Sequence, residues 1–276
     1  MVNGARSVLV FDSGVGGLSV FDAIAASGLD LVLDYVADNA WLPYGLKTDA
    51  QLRARVPELL ARLVTQWAPD IVVIACNTAS TIVLGDVRAR LPVQVVGVVP
   101  PIKPAAAATN SGVIGLLATP ATVTRPYTDD LVARFASDKH VIRFGSSALV
   151  AAAEAKLRGE PPHASAITDA IDGLFGAIGG EAIDVVALAC THFPLLAEEL
   201  AAAAPRACLW LDSGAAIARR VGEVSSAGAG VVQPRRAGFT DFAAVAGLRP
   251  ALAARGIIGS VRIDAGTGFA GEDIAL

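Results

Sequence analysis

The chain is poor in the groups that most often announce a function. Its 276 residues include three cysteines, three histidines and one methionine, with 5% aromatics and only 17% charged residues. So few cysteines, in odd number, do not make a disulfide framework. They fit a reducing cytoplasm, where each thiol is a core residue, a ligand or a reagent. The 22 basic and 26 acidic residues leave a net charge of −4. The basic residues form no stripe, so nucleic acid is not an expected partner, and the acidic ones form no tail. Mean hydropathy is high, +0.56. Even so, stretches such as 71–99 and 113–118 are broken by Asn, Thr, Ser, Asp or Arg before about 18 clean apolar residues accumulate, which predicts no transmembrane helix. Met1-Val2-Asn3-Gly4-Ala5-Arg6-Ser7 leads into a strand-like run without the apolar core and cleavage site of a signal peptide.

What the chain has is alternation. Hydrophobic residues make up 54% of it, ample for a packed core. Strand candidates are Ser7–Phe11, Leu31–Val36, Ile71–Ala75, Val93–Val98, Val113–Leu117, His140–Phe144, Val185–Ala189 and Leu209–Leu211. Helix-period stretches lie near 18–27, 49–67, 79–90, 121–136, 148–157, 165–178, 195–204 and 214–225. The strands are nearly continuous apolar runs, the pattern of parallel strands covered on both faces. The fold class is therefore α/β with doubly wound parallel sheets.

An internal repeat refines this. Asp70-Ile-Val-Val-Ile-Ala-Cys76-Asn77-Thr78 resembles Asp184-Val-Val-Ala-Leu-Ala-Cys190-Thr191-His192, and Asp12-Ser13-Gly14 is echoed by Asp212-Ser213-Gly214. Two pseudo-symmetric α/β domains facing a central cleft would explain both. Pro100-Pro101-Ile102-Lys103-Pro104 reads as the crossover. The expected division is an N-terminal domain of 1–98 plus about 208–276, and a second domain of 99–207. The Gly/Ala-rich stretch after about 227 gives no pattern from which to assign elements.

In open α/β sheets, ligands bind beyond the carboxyl ends of the strands. Four motifs fall there: Asp12-Ser-Gly-Val-Gly-Gly17, Asp38-Asn39 with Pro43-Tyr44-Gly45, Cys76-Asn77-Thr78, and Cys190-Thr191-His192. A lone cysteine is usually a small buried hydrophobe, and that is the reading for Cys208. Cys76 and Cys190 differ: each follows a buried strand, precedes a helical stretch whose amides lower a thiol pKa, and is trailed by polar groups. A thiolate and a thiol on opposite sides of a small substrate form a base–acid pair, which inverts a stereocentre without a cofactor. A redox pair is disfavoured by the lack of a C-x-x-C, and one Cys-x-His neighbourhood offers too few ligands for zinc. The Asp12 loop is neither G-x-G-x-x-G nor a phosphate loop with its lysine. Asp12 reads either as a helix cap or as a carboxylate that holds a thiol proton. His192 suits a proton store beside Cys190. Thr78, Thr119, Thr122 and Thr191 are ordinary caps singly and, as a set, hydrogen-bond donors for carboxylates.

Together Asp12–Gly17, Pro43-Tyr44-Gly45, Cys76-Asn-Thr-Ala-Ser80, Val96-Gly-Val-Val99 and Cys190-Thr-His-Phe-Pro194 resemble the glutamate racemases of the cofactor-independent aspartate/glutamate racemase superfamily. The resemblance runs from about residue 7 to about 220, closing on Asp212–Arg220. It implies a PLP-independent isomerase that interconverts L- and D-glutamate for peptidoglycan, with glutamate as partner, no cofactor and no metal. It implies that Cys76 and Cys190 are the acid/base catalysts, Asp12 assisting Cys76 and His192 assisting Cys190. Ser13, Asn77, Thr78, Thr119, Thr122 and Thr191 would bind the amino acid's polar groups, with Pro43, Tyr44 and Gly45 lining the site. Glu154 matches a family glutamate near it. The chain departs from the family at Pro100-Pro101-Ile102, where many members carry Glu-Pro-Gly and one sub-branch carries Pro-x-Ile-Lys-Pro, and at Pro120-Ala121 before Thr122. The unmatched tail is expected to supply helices returning to the first domain. Low charge points towards a homodimer. The alternatives are an aspartate-, hydantoin- or maleate-type member of the superfamily, or a non-catalytic amino-acid-binding protein.

Overall fold

The computed structural model describes residues 5–264 and 273–275. The chain divides into two compact units, Met1–Val98 with Gly214–Leu276, and Val99–Ser213. The first runs β1 (Arg6–Asp12), α1 (Leu18–Ala25), β2 (Leu31–Ala37), α2 (Asp49–Trp67), β3 (Ile71–Ile74), α3 (Asn77–Arg90) and β4 (Gln94–Gly97). The second runs α4 (Ile102–Ala108), β5 (Val113–Ala118), α5 (Pro120–Val123), α6 (Pro126–Phe135), β6 (His140–Gly145), α7 (Ala148–Leu157), α8 (Ala164–Phe175), β7 (Val185–Leu188), α9 (Ala197–Ala203) and β8 (Leu209–Leu211). The chain then returns to the first unit through α10 (Gly214–Ser225), β9 (Gln233–Phe239), α11 (Arg249–Ala253), β10 (Gly259–Arg262) and β11 (Asp273–Ala275). Among the described residues no helix is long and apolar enough to cross a membrane.

The sequence repeat is a repeat of topology. The first sheet has the order β11-β10-β9-β2-β1-β3-β4 and the second β6-β5-β7-β8. Counted from the first strand of each unit, both contain the order second–first–third–fourth, and all of these pairs are parallel. The central strands Ile71-Val-Val-Ile74 and Val185-Val-Ala-Leu188 are buried along their whole length. Such strands carry apolar side chains on both faces because helices cover both. The aspartate that opens each repeat has the same task twice. Asp70 accepts from the backbone N–H and the hydroxyl of Ser7 at 2.8 and 3.0 Å. Asp184 accepts from the Thr109 hydroxyl and the backbone of Asn110 and Ser111 at 2.6–2.9 Å. Each carboxylate thus ties the start of its unit's third strand to the start of the first. The other echo is not part of the repeat: Asp12-Ser13 closes a first strand, whereas Asp212-Ser213 follows β8, a fourth strand.

Helix limits follow local chemistry. A capping box starts α2, with Thr48 Oγ1 accepting from Gln51 N–H and the Gln51 side chain from Thr48 N–H. The helix expected over 121–136 breaks into α5 and α6 before Pro126, because the residue preceding a proline is pushed out of the α region. The proline-rich crossover hides α4, whose Pro104 lies in the first turn, where a missing N–H costs nothing.

The tail corrects an expectation. Besides α11 it supplies three strands, which widen the first sheet. β9 pairs with β2 in parallel, β10 with β9 in parallel, and β11 with β10 antiparallel, so this sheet is not wholly parallel. Gly, Ala and Arg along β9 obscure its pattern, since Gln233 is exposed, Pro234–Arg236 are only partly buried and Ala237–Phe239 alone are deep. Because Phe239 is fully buried, Phe239→Ala is expected to lower unfolding free energy by about 3–5 kcal/mol in a urea titration. A loss below about 1 kcal/mol would show β9 to be an appendage rather than part of the core.

Candidate active site

With the order second–first–third–fourth, connections leave the first and third strands towards opposite sides. The crevice this opens at the strands' carboxyl ends is where open α/β sheets bind ligands. In the first unit these ends deliver Asp12-Ser13 and Cys76; in the second, Thr119 and Cys190. Backbone bonds hold them in step: Ala75 N–H donates to Phe11 O and Ala189 N–H to Leu117 O, both at 2.8 Å.

Cys76 caps α3 with extended backbone, and its carbonyl accepts the first helical bond, from Ser80 N–H at 2.9 Å. Its sulfur therefore sits at the positive end of a 14-residue helix, which favours a thiolate. Ser13 Oγ lies 3.6 Å from Cys76 Sγ. Ser13, expected only as a binding residue, is thus the hydroxyl touching this sulfur. Asp12 is fully buried, and its Oδ2 accepts Gly17 N–H at 2.7 Å. A Cβ at Gly17 would stand 2.6 Å from Asp12 Cβ and 3.1 Å from the Tyr35 hydroxyl, so only glycine permits this approach. The Tyr35 hydroxyl in turn donates to Gly14 O at 2.5 Å, fixing the loop from behind.

Asn77 and Thr78 open α3 and are buried. The Asn77 Oδ1 is buried and accepts no hydrogen bond from the described residues. Pro43 and Gly45 are half-buried on either side of buried Tyr44, after a cis Leu42–Pro43 bond. The Tyr44 hydroxyl donates to Asp38 Oδ2 at 2.6 Å. Burial, then the charge and hydrogen bond of Asp38, then Cys76 push the Tyr44 pKa well above its ordinary value. Tyr44 therefore keeps its proton. Asp38 is fully buried and also accepts from Arg55 Nε and Nη2, at 2.6 and 2.7 Å, and from Thr240 Oγ1 at 2.8 Å.

The second unit builds a different surround. No α-helix starts at Cys190; a 3-10 turn, Phe193–Leu196, comes first. The expected helix-end stabilisation is replaced by an imidazole. His192 Nδ1 lies 3.8 Å from Cys190 Sγ, its Nε2 is 2.9 Å from Glu154 Oε1, and Arg158 Nη2 donates to Glu154 Oε2 at 3.0 Å. Glu154 and Arg158 are one turn apart along α7 and its C-cap, the spacing at which helix side chains meet. Burial alone would lower the His192 pKa, but the hydrogen bonds and charges of Cys190 and Glu154 outweigh it and hold the value well above normal. A protonated His192 donates through both nitrogens, towards the sulfur on one side and to Glu154 on the other. Thr191 is buried. Thr119 and Thr122 pair through their hydroxyls at 2.9 Å, and the Thr128 hydroxyl donates to Thr122 O at 2.6 Å. Pro120 takes the first position of α5, a place proline suits.

Cys208 is half-buried, and burial pushes its thiol up to about 11, so it stays a thiol. Among the described residues no group of three or more His, Cys, Asp and Glu could hold a metal ion. No local pattern points to Arg55 or Thr240, which reach Asp38 from 17 and 202 residues away. Arg158 could have been found from its i+4 spacing to Glu154.

Comparison with known proteins agrees with this architecture. The model of the family Asp/Glu/Hydantoin racemase matches residues 19–221. The chain belongs to that family and is an isomerase. Within it, the chain is 54% identical to the glutamate racemase of Sphingopyxis alaskensis over 218 residues, 79% of this chain and 81% of that one. It is 43% identical to the glutamate racemase of Brucella anthropi over 256 residues, 91% and 90% of the two chains. The crystal structure of Escherichia coli glutamate racemase, in complex with L-glutamate and the activator UDP-MurNAc-Ala, superposes with a TM-score of 0.87 at 41% identity. It covers 94% of this chain and 97% of that one.

Glu154→Gln is expected to lower the His192 pKa, read from the imidazole proton shifts across pH. Because the folded pKa is raised, the stability this pair contributes is fully present near and below about pH 6.5 and fades as pH rises through the folded value. The difference in urea midpoint between the parent protein and the variant should therefore shrink with rising pH. An unchanged His192 titration would break the assignment of Glu154 as its partner.

Proposed function

We propose that the protein interconverts L- and D-glutamate in the cytoplasm, supplying D-glutamate for peptidoglycan, with Cys76 and Cys190 as the two acid/base groups serving opposite faces of the α-carbon. The observation that carries this reading is the duplicated placement of the thiols. Each follows the third strand of its unit and has its own polar partner, Ser13 Oγ for Cys76 and His192 Nδ1 for Cys190. The relatives that share the chain's length are glutamate racemases, which supports glutamate over aspartate, hydantoins or maleate.

In this reading one sulfur, as thiolate, takes the α-proton while the other, as thiol, delivers a proton to the opposite face. Reversal exchanges their roles. The α-proton of an amino acid is very weakly acidic, so the site must stabilise the developing carbanion with fixed donors and exclude water. Thr78, Thr119, Thr122 and Thr191 supply hydroxyls for carboxylates. The buried Asn77 Oδ1, lacking a donor, suits the substrate ammonium, since a buried acceptor left unpaired is costly. Neutral Tyr44, flanked by Pro43 and Gly45, lines the site near Cys76. Asp12 assists Cys76, and His192, held by Glu154, assists Cys190.

Incubating L-glutamate with the protein and no added cofactor should abolish its optical rotation; a flat trace with glutamate, and activity on aspartate or a hydantoin instead, would reassign the substrate. Cys76→Ala and Cys190→Ala should each reduce racemisation by at least about 10²–10⁴-fold, the usual size of a positioned proton catalyst, with unfolding midpoints retained. Near-parental turnover by either variant would sink the two-thiol assignment. In heavy water, deuterium should enter the product enantiomer ahead of the recovered substrate.

A further inference from the structure

The loop that carries Tyr44 is held from two directions. From α2, Arg55 makes a two-pronged bond to Asp38 with 2.6 and 2.7 Å separations, and its guanidinium stacks 4.4 Å from the centre of the Trp41 ring. From the returning tail, the Thr240 hydroxyl donates to Asp38 Oδ1 at 2.8 Å and accepts Ala40 N–H at 3.0 Å. Next to it the Asn39 side chain exchanges two bonds with the Asp241 backbone, both 2.8 Å. Asp38 is fully buried and receives four donors: Tyr44, Thr240 and two from Arg55. A buried carboxylate is tolerable only when paired and hydrogen-bonded this fully. The arrangement therefore exists in one geometry, and that geometry fixes where the Tyr44 ring lies. Tyr44 and Cys76 belong to the same buried cluster, and the short turn Tyr44–Leu46 packs against α3, which Cys76 caps.

We propose that Arg55 and Thr240 are positioning residues of the active site, a clasp that acts through Asp38 to hold the Pro43-Tyr44-Gly45 segment against the substrate on the Cys76 side. The proposal rests on the racemase reading above. Thr240 lies beyond residue 221, where the match to the family model ends. The residue that follows tail strand β9 thus contributes to substrate binding, while the strand itself widens the sheet. Neither residue touches a sulfur, so the clasp governs how well glutamate is held rather than how the proton moves.

The test uses steady-state racemisation of both enantiomers by the full chain, with thermal unfolding followed in parallel. Thr240→Val should raise KM for both enantiomers by about tenfold, the size expected for losing a hydrogen bond to a buried charge, with kcat changed by less. Thr240→Ser, which restores the hydroxyl, should return KM to the parental value. Arg55→Lys keeps the charge but not the fork and should raise KM similarly. In a Tyr44→Phe background, Thr240→Val should add little, because both act through the same contact. Parental KM in folded Thr240→Val and Arg55→Lys, or fully additive effects with Tyr44→Phe, would overturn the clasp. If Thr240→Val does not fold, Arg55→Lys and Thr240→Ser decide the question on the same KM readout. A parental protein that racemises no amino acid would instead refute the functional reading.

Discussion

The placement of the two buried thiols depends on two apolar strands of four residues, buried from end to end, each followed by one alanine and then a cysteine. A parallel strand covered on both faces has few places where a polar side chain can meet a ligand, and its carboxyl end is the principal one. Burial of Ile71–Ile74 and Val185–Leu188 sets the register with the first strand of each unit, and the register sets which residues emerge together. Val73 pairs with Val10 and Ile74 with Phe11, so Cys76 emerges level with Asp12-Ser13. A one-residue slip would send the opposite set of side chains into the core. The position of each sulfur is thus a consequence of hydrophobic packing several residues away.

Topological duplication has not produced chemical duplication. At Cys76 the positive field comes from the start of α3, and the touching partner is a serine hydroxyl. At Cys190 the helix start is displaced by a 3-10 turn, and the positive group is an imidazole wedged between the sulfur and Glu154. Each arrangement sets a positive group beside its sulfur, by different means. A helix end offers a fixed partial charge with no proton to exchange. An imidazole offers a full charge that depends on pH, and its partners keep it charged against the cost of burial. In the proposed two-thiol mechanism the two sulfurs exchange acid and base roles, which does not require that they be supported alike.

The sequence revealed most of this because the deciding features are local. The continuous apolar runs, the paired Asp-to-Cys repeat and the polar residues after each cysteine are all contiguous, and each lies where its pattern indicates. Helices α2, α7 and α10 start and stop at the expected residues, and in α2 a capping box marks the start. The failures are equally physical. Strands β9 and β10 carry Arg and Gly and are buried on only part of their length, so alternation could not mark them. Arg55 and Thr240 converge on Asp38 only after the sheet forms, and no spacing rule connects residues 38, 55 and 240. The contact of Ser13 with Cys76 spans 63 positions, so no local pattern announces it.

The same contrast separates what the fold supplies from what the long-range contacts add. The two four-strand arrangements alone suffice to bring a thiol and its neighbouring polar groups to a strand end. They do not hold the Tyr44 segment, which lies in a connection between β2 and α2 with only short 3-10 turns of its own. A connection of that kind stays in one conformation only if its polar groups are paired. Here Asp38 collects those pairings from a helix and from the returning tail, and the guanidinium stacked on Trp41 keeps its charge compensated. Placing a buried carboxylate at the root of such a loop is costly in isolation, yet it converts several separate contacts into one interdependent unit. That interdependence fixes the Tyr44 ring in a connection whose only regular structure is two short 3-10 turns, through contacts that the first sheet's returning tail helps to supply.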